Sequence, residues 1–365
     1  MSEFVVIGGG VIGLMTALQL ADAGHSITVI DRGQCGREAS WAGGGIVSPL
    51  YPWRYSDPVS QLASWSEGAY PELSLRLLEE TGVDPEYRQK GLLYLRVEDE
   101  TRALAWARGV GKPLSRVGAE VIRAKEPQVR QDVEDALWMP TLGSIRNPRL
   151  MRSLKTRLSS MPGVTFAEQT SVTGLNRQGQ RVTSVATDQG DVGADQVVIC
   201  AGAWSAQLAK LADLSLPVRP VKGQMLLFKA PPGMVERVVL MDGRYVIPRG
   251  DGRVLAGSTL EEAGFDKGID EQARQSLWQS ATGIIPALAS CEVEHQWAGL
   301  RPGSPDGVPF IGRAPGWDNL HVNAGHYRNG LVLAPASTRL LVDQMLGRRP
   351  IIEPSAYALE GRLEQ

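Results

Sequence analysis

The chain has 365 residues, which is longer than one hydrophobic core usually organises, so we expect two domains. Hydrophobic residues make up 43% and charged residues 21% of the chain, both ordinary values for a globular protein. The formal net charge is -2 and no long basic run occurs, which argues against nucleic acid or an anionic membrane as a partner.

The cysteines and histidines also narrow the class of protein. Three widely separated cysteines do not make a disulfide framework and suit a reducing compartment. Four histidines without a ligand pair at helical spacing predict no metal site. The first residues lack the basic lead of a signal peptide, and no apolar run reaches membrane-spanning length. We therefore expect a cytoplasmic protein.

The first predicted elements are a strand, a helix and a second strand. Residues 4–7 and 26–30 are short apolar runs, and residues 14–23 between them are rich in alanine and leucine. This order and spacing predict the opening of a parallel α/β sheet.

A dinucleotide-binding fingerprint lies within this unit. Gly8 is placed to make the tight turn, Gly10 to let the backbone approach a pyrophosphate, and Gly13 to permit close helix packing. Asp31 ends the second strand, 18 residues after Gly13, where a carboxylate accepts hydrogen bonds from ribose hydroxyls. Because an aspartate stands there, the motif alone leaves NAD and FAD both open.

Residues 33–58 are predicted to be loop, and within them residues 40–45 read Ser-Trp-Ala-Gly-Gly-Gly. Three successive glycines cost conformational order and do not favour a helix or a strand. One interpretation is a flexible surface loop, and the other is a backbone segment held close to a cofactor. The position of the loop just after Asp31 favours the second interpretation.

The middle of the chain returns to the first sheet. Helical patterns at residues 59–81, at 98–110 and after Pro148 precede a β region at residues 164–201. Its last six residues are a continuous apolar strand, followed by Gly202. Because ligands bind beyond the carboxyl ends of such strands, Ala201 and Gly202 are candidate cofactor contacts. A plain connection to the next element is the alternative.

A different architecture follows. The turns and apolar runs predict an antiparallel meander, a helix, a Gly- and Pro-rich segment, a strand and a final helix. The meander strands are at residues 225–228, 238–241, 244–247 and 253–256, and the later elements are at 271–283, 298–315, 320–323 and 331–346. The two domains are therefore expected to be interleaved along the chain.

Two arginines stand in glycine-rich turns rather than on a helix face. Arg301 lies in the segment 298–306 and Arg328 in the segment 325–330. Guanidinium groups bind carboxylates through two parallel hydrogen bonds, so these residues are candidates for anion recognition. An ordinary surface arginine is the usual alternative. Tyr245 lies within a meander strand, where packing in the core is the common role of a tyrosine.

Several motifs together resemble the FAD-binding amino-acid oxidase superfamily. They are the N-terminal fingerprint, residues 40–45, 197–205, 220–224 and 298–302. Residues 325–335, Gly-His-Tyr-Arg-Asn-Gly-Leu-Val-Leu-Ala-Pro, resemble the glycine oxidase branch of that superfamily in particular. The resemblance covers essentially the whole chain.

The resemblance implies a fold and a domain division. It implies an α/β protein, α+β overall, in which a doubly wound, Rossmann-like FAD domain is interleaved with a substrate domain built on a mainly antiparallel sheet. The FAD domain would comprise residues 1–80, 147–215 and 298–365, and the substrate domain residues 81–146 and 216–297.

The resemblance also implies functional residues. Tyr245, Arg301 and Arg328 would surround the substrate carboxylate. The residues that would contact FAD are Gly8, Gly10, Val11, Ile12, Gly13, Asp31, Arg32, Ser40, Ala42, Gly43, Gly44, Val172, Ala201, Gly202, Trp204, Arg301, His326, Arg328, Asn329, Gly330 and Leu331. In related sarcosine oxidases a cysteine bonds the flavin covalently; Gly299 stands at that position here, so non-covalent FAD is expected.

The reaction implied by the resemblance is oxidation of a small amino acid. The α-hydrogen leaves as hydride to the flavin, O₂ reoxidises the flavin to give hydrogen peroxide, and the imine hydrolyses to an oxo acid and ammonia. Glycine would give glyoxylate, with a role in making the thiazole ring of thiamine. Sarcosine, a D-amino acid or proline as substrate, a quinone as electron acceptor, and nucleotide binding without turnover are the alternatives. The family tends to form homotetramers.

Overall fold

The computed structural model describes residues 2–364, which contain two large sheets and a set of helices. In chain order the strands are β1 (Ser2–Ile7), β2 (Ile27–Ile30), β3 (Ile46–Val47), β4 (Leu92–Leu95), β5 (Ser115–Gly118), β6 (Asp135–Met139), β7 (Gly143–Ser144), β8 (Val164–Ala167), β9 (Val172–Gln178), β10 (Arg181–Thr187), β11 (Gly190–Ile199), β12 (Arg219–Lys229), β13 (Val238–Met241), β14 (Arg244–Pro248), β15 (Arg253–Gly257), β16 (Glu292–Gly303), β17 (Phe310–Arg313) and β18 (Leu320–Ala324). The α-helices are α1 (Val11–Asp22), α2 (Ala39–Ala42), α3 (Asp57–Thr81), α4 (Glu100–Val110), α5 (Ala119–Lys125), α6 (Asn147–Ser159), α7 (Ser205–Ala209), α8 (Glu271–Ile284) and α9 (Gly330–Met345). Short 3-10 helices lie at Pro52–Arg54, Gly202–Trp204, Lys210–Ala212, Pro286–Ser290, Tyr327–Asn329 and Ser355–Tyr357.

The first sheet has the strand order β17-β18-β11-β1-β2-β8. All neighbours in it are parallel except β17, which pairs antiparallel with β18, and β9 and β10 extend from β11 as an antiparallel meander. Because β1 is flanked on both sides and covered on both faces, its apolar residues are buried, including Val5 and Val6 with no exposed surface. Helices α1 and α9 pack against each other beside this sheet.

The second sheet has the order β16-β12-β15-β14-β13-β4-β6-β5. Its pairs are antiparallel except β13 with β4. Helix α8 packs on it and buries Leu277 and Ile284. The parallel first sheet and the mainly antiparallel second sheet confirm the predicted fold class.

Three local predictions need correction. The predicted loop 33–58 contains the short helix α2 and the two-residue strand β3, which pairs with β7. The Gly- and Pro-rich segment 298–315 begins as the last six residues of β16, because these residues pair with β12 in an unbroken register. Strands β4, β5 and β6 were not predicted; their short runs take their structure from long-range pairing.

The predicted division into domains stays a prediction, and two of its boundaries fall within elements. The change between residues 80 and 81 separates the last residue of α3 from the rest of that helix. The change at residues 297 and 298 lies inside β16, which belongs to the second sheet as far as Gly303. Among residues 2–364, no helix is long and apolar enough to cross a membrane.

Candidate active site

A cavity of about 540 Å³ lies at the carboxyl ends of β1, β2, β11 and β18 and extends to the second sheet. Its wall includes residues one or two positions after those strands, such as Gly8, Asp31, Ala201 and His326. Open parallel sheets bind ligands at this edge, beyond the strand ends. The second sheet closes the other side through side chains of β12, β14 and β16.

The turn between β1 and α1 depends on glycine at two positions. Gly8 has a φ of 108°, and a Cβ there would lie 2.5 Å from the carbonyl oxygen of Cys200. A Cβ on Gly13 would lie 1.8 Å from the carbonyl oxygen of Gly8. Gly13 therefore lets α1 sit against β1, while Gly8 and Gly10 leave the cavity side of the turn open.

The side chains of Asp31 and Ser40 hold this turn. Asp31 accepts hydrogen bonds from the backbone N–H of Gly9 and Gly33, each at 2.8 Å, through different carboxylate oxygens. A carboxylate has further acceptor sites, so Asp31 remains able to accept from a ribose hydroxyl. Ser40 accepts from the N–H of Val11 at 2.8 Å and thereby fixes the start of α1.

A stack of side chains borders the cavity near Asp31. The guanidinium carbon of Arg32 lies 3.8 Å from the ring centre of Trp204, and Phe265 stacks on the same indole at 5.5 Å. Both Arg32 and Trp204 line the cavity. A flat cation–π stack of this kind forms a surface on which a planar ring can pack.

We call residues 43–45 the glycine loop. Close contacts with neighbouring side chains explain why two of its positions are occupied by glycine. A Cβ on Gly44 would lie 3.1 Å from the hydroxyl of Tyr245, and a Cβ on Gly43 would lie 3.0 Å from the amide nitrogen of Asn147. The loop thus passes between helix α6 and strand β14 with no room for larger side chains. Its tight packing contradicts the flexible-loop interpretation.

Arg301 projects from β16 toward the cavity. Its guanidinium donates to the carbonyl oxygen of Lys222 at 3.1 Å and to the hydroxyl of Ser258 at 2.7 Å. It packs over Gly223, where a Cβ would lie 2.2 Å from it. No carboxylate among residues 2–364 pairs with it, and burial lowers its pKa below the usual value.

Tyr245 and Arg328 lie around the same end of the cavity. Tyr245 is buried, and the partner of its hydroxyl is the sulfur of Met225 at 3.7 Å, a weak acceptor. Arg328 is exposed, on the 3-10 helix before α9, and forms no ion pair with any residue from 2 to 364. A substrate carboxylate at this end would meet two guanidinium groups and one phenol.

His326 is buried in a polar network rather than available for proton transfer. The Ser337 hydroxyl donates to Asn323 Oδ1 at 2.7 Å, so it accepts from Nε2 of His326, also at 2.7 Å. This arrangement places the proton of the neutral imidazole on Nε2. Burial lowers the pKa of His326 to about 3, and the ring is therefore neutral at physiological pH.

The structure brings nearly all of the predicted site residues to this one cavity. Those that line it are Gly8, Gly10, Val11, Ile12, Asp31, Arg32, Ser40, Ala42, Gly43, Gly44, Val172, Ala201, Gly202, Trp204, Tyr245, Arg301, His326, Arg328, Asn329, Gly330 and Leu331. Gly13 does not line it and acts behind the turn. Sequence reasoning missed Asn147, Met225 and Ser258, which line the wall but lie in no recognised motif.

Several polar atoms on the cavity wall have no hydrogen-bond partner, and they indicate whether a flavin dinucleotide fits the cavity. Ser48 Oγ, Asn147 Oδ1 and Asn329 Nδ2 are buried and have no hydrogen-bond partner in the part of the chain that the structure describes. Buried polar groups are normally satisfied, so these atoms point to a ligand that carries both donors and acceptors. The isoalloxazine ring of FAD carries both hydrogen-bond donors and acceptors. The glycine-rich turn between β1 and α1 suits the pyrophosphate of FAD. The wall fits FAD.

Among residues 2–364, no group of three His, Cys, Asp or Glu side chains could hold a metal ion.

The glycine-rich turn, the helix that follows it and the cavity at the strand ends define a dinucleotide-binding protein of the doubly wound class. The family model described as FAD dependent oxidoreductase matches residues 3–344. The chain belongs to this family.

Relatives extend the match over the full length. The chain is 54% identical over 364 residues to the glycine oxidase of Pseudomonas aeruginosa, with 100% of both chains covered. It is 33% identical to the bifunctional protein ThiO/ThiG of Synechocystis, covering 98% of this chain and 53% of that protein. The crystal structure of glycine oxidase from Geobacillus kaustophilus superposes with a TM-score of 0.94 at 29% identity, covering 100% of this chain and 99% of that one.

FAD is expected to be released by denaturation. A Cβ on Gly299 would lie 2.6 Å from Cβ of Ala42, so the position that carries a cysteine in covalent relatives has no room for one here. Acid precipitation should give a colourless pellet and a yellow supernatant that runs as FAD. A pellet that stays yellow would show a covalent bond.

Proposed function

We propose that the chain is a glycine oxidase that oxidises glycine and small N-methylated glycines, such as sarcosine, with O₂. The products are the oxo acid, ammonia or the amine, and hydrogen peroxide. The observation that carries the proposal is Arg301, a partly buried guanidinium at the FAD cavity with no carboxylate partner among residues 2–364. The 54% identity to a glycine oxidase supports the choice of amino acid.

Three residues of the cavity would bind the substrate. Arg301 binds the substrate carboxylate through two parallel hydrogen bonds, and the hydroxyl of Tyr245 donates to the same group. Arg328, exposed at the rim, supplies a second positive charge. FAD, when bound, accepts the hydride that leaves the α-carbon. The protein contributes orientation, which by itself accelerates a reaction between two bound partners.

No side chain is required as a general acid or base. His326 lines the cavity, but its pKa of about 3 and its hydrogen bond to Ser337 hold it neutral. The substrate would therefore enter with a neutral amine, and the lone pair on nitrogen would assist departure of the hydride. The proposal includes the homotetramer that the family resemblance implies and the cytoplasmic location that the sequence predicts. The ThiO/ThiG name of a relative supports a role in thiamine biosynthesis.

Oxygen consumption with a panel of amino acids tests this function. Glycine and sarcosine should consume O₂ and release an equal amount of hydrogen peroxide, whereas bulky D-amino acids should be poor substrates. Turnover only with an artificial electron acceptor would show that the protein is a dehydrogenase rather than an oxidase. A kcat/KM for a bulky D-amino acid that exceeds that for glycine by orders of magnitude would contradict the substrate assignment.

A further inference from the structure

A partly buried arginine at the end of a strand of the second sheet holds the glycine loop. Arg249 directly follows β14, and its guanidinium donates from Nη2 to the carbonyl oxygen of Gly44 at 2.8 Å. The other terminal nitrogen, Nη1, donates to the carbonyl oxygen of Ile145 at 3.0 Å. The first hydrogen bond ties the glycine loop, and the second ties Ile145, to the end of the strand that carries Tyr245.

The nearby carboxylates form hydrogen bonds with another arginine and not with Arg249. Glu86 and Asp251 accept hydrogen bonds from Arg146, at 2.8 and 3.0 Å, and no carboxylate among the described residues accepts one from Arg249. Burial, and then the charge of Arg146, lower the pKa of Arg249 to about 10, so it stays charged at neutral pH. A partly buried charge without a carboxylate partner is costly to maintain, which favours a specific role for this one.

The hydrogen bond to Gly44 sets the direction of the next peptide. In a trans peptide the C=O and the following N–H point in opposite directions, so the N–H of Gly45 points away from Arg249. The carbonyl of Gly45 is itself held by the N–H of Ile145 at 2.7 Å. Gly44 and Gly45 line the cavity, whereas Arg249 does not.

The N–H groups of the loop are available to a ligand. Within residues 2–364, neither Gly44 N–H nor Gly45 N–H donates to any protein acceptor. Buried backbone donors are almost always paired. The unpartnered Oδ1 of Asn147 lies 2.6 Å from the position that a Cβ on Gly45 would occupy, so an unpaired acceptor also lies beside this loop.

We propose that Arg249 is a positioning residue for the flavin ring. By holding the carbonyl of Gly44, it keeps the N–H of Gly45 directed into the cavity, where it donates to an acceptor of the isoalloxazine. The arginine thus couples the substrate-side strand β14 to the cofactor. This role rests on the FAD of the family and is independent of which amino acid is oxidised.

The test measures the cofactor rather than turnover. Arg249→Met removes both hydrogen bonds but keeps much of the apolar volume, and it should weaken FAD binding about tenfold or more, because hydrogen bonds to a charged group are among the stronger ones. At saturating FAD, the visible absorption maxima and the reduction potential of the bound flavin should both shift. Arg249→Lys keeps the charge without the fork, and should recover part of the affinity while retaining a spectral shift.

Arg253→Met is the matched control. Arg253 lies on the neighbouring strand β15 and pairs with Glu294 and Asp251 through its guanidinium, without touching the glycine loop. Its flavin spectrum and FAD affinity should be unchanged. An unchanged spectrum and potential in Arg249→Met, or in Arg249→Lys should the methionine variant not fold, would overturn the proposal. Equal shifts in Arg253→Met would also overturn it.

Discussion

Replacing Arg301 with alanine should raise the KM for glycine by about two orders of magnitude or more, with FAD still bound. The guanidinium has two backbone or hydroxyl acceptors and no carboxylate partner among residues 2–364, so a substrate carboxylate completes its charge pairing. Each hydrogen bond between such charged groups contributes about 1.5–3 kcal/mol, and each 1.4 kcal/mol is about tenfold in affinity. Steady-state kinetics on the flavin-saturated variant measure the change.

Two comparisons make this result specific to the carboxylate. Arg301→Lys should recover only part of the loss, because an ammonium lacks the planar fork. Glycinamide, which has no carboxylate, should be a poor substrate of the unmodified enzyme and should lose little more in the variant. Arg219→Ala, at an exposed arginine of β12 that pairs with Glu262, serves as the control and should leave KM unchanged. A normal KM in Arg301→Ala would indicate that Arg328, and not Arg301, anchors the substrate carboxylate.

Replacing Gly13 with alanine should produce a protein that no longer retains FAD and that unfolds at a much lower temperature. The added Cβ would lie 1.8 Å from the carbonyl oxygen of Gly8 and 3.3 Å from a side-chain carbon of Val6. The first of these atoms is backbone in the turn itself, so relief requires α1 to move away from β1. The cofactor side of the turn would then be distorted. Thermal unfolding and the ratio of flavin to protein absorbance measure both effects.

Gly68→Ala is the matched substitution in open space. Gly68 lies inside α3, and a Cβ there would meet no atom within 4 Å. Because alanine favours a helix over glycine by about 1 kcal/mol, this variant should be slightly stabilised and fully yellow. If Gly13→Ala were purified with a full complement of FAD and an unchanged Tm, the packing role assigned to Gly13 would be wrong.

The part of the site that could be predicted from sequence is the part with local causes. A tight turn after a strand and before a helix requires glycine at fixed spacing, and Gly8, Gly10 and Asp31 occur at that spacing around the cavity. Arg301 and Arg328 could be selected because each stands in a glycine-rich segment rather than on a solvated helix face.

The remainder depends on contacts between distant segments. Arg249 reaches Gly44 across 205 positions of sequence, and Asn147 reaches Ser40 across 107. Nothing in the residues beside Arg249 predicts this contact, which follows from the way the second sheet meets the glycine loop. Strands β4 to β6 share this cause, because β4 pairs with β13, β6 pairs with β4 and β5 pairs with β6, and no local pattern sets this order.

Anaerobic addition of glycine to the FAD-loaded protein tests the central claim most directly, that this cavity brings glycine and flavin together. The visible absorbance of the flavin should be bleached by glycine at low concentration in the unmodified protein. In Arg301→Ala the same bleaching should require about a hundredfold more glycine, as expected from the loss of two charged hydrogen bonds. Subsequent addition of O₂ should restore the yellow colour and release hydrogen peroxide in proportion to flavin. A flavin that stays oxidised with glycine, but is reduced by a bulky D-amino acid, would contradict the account.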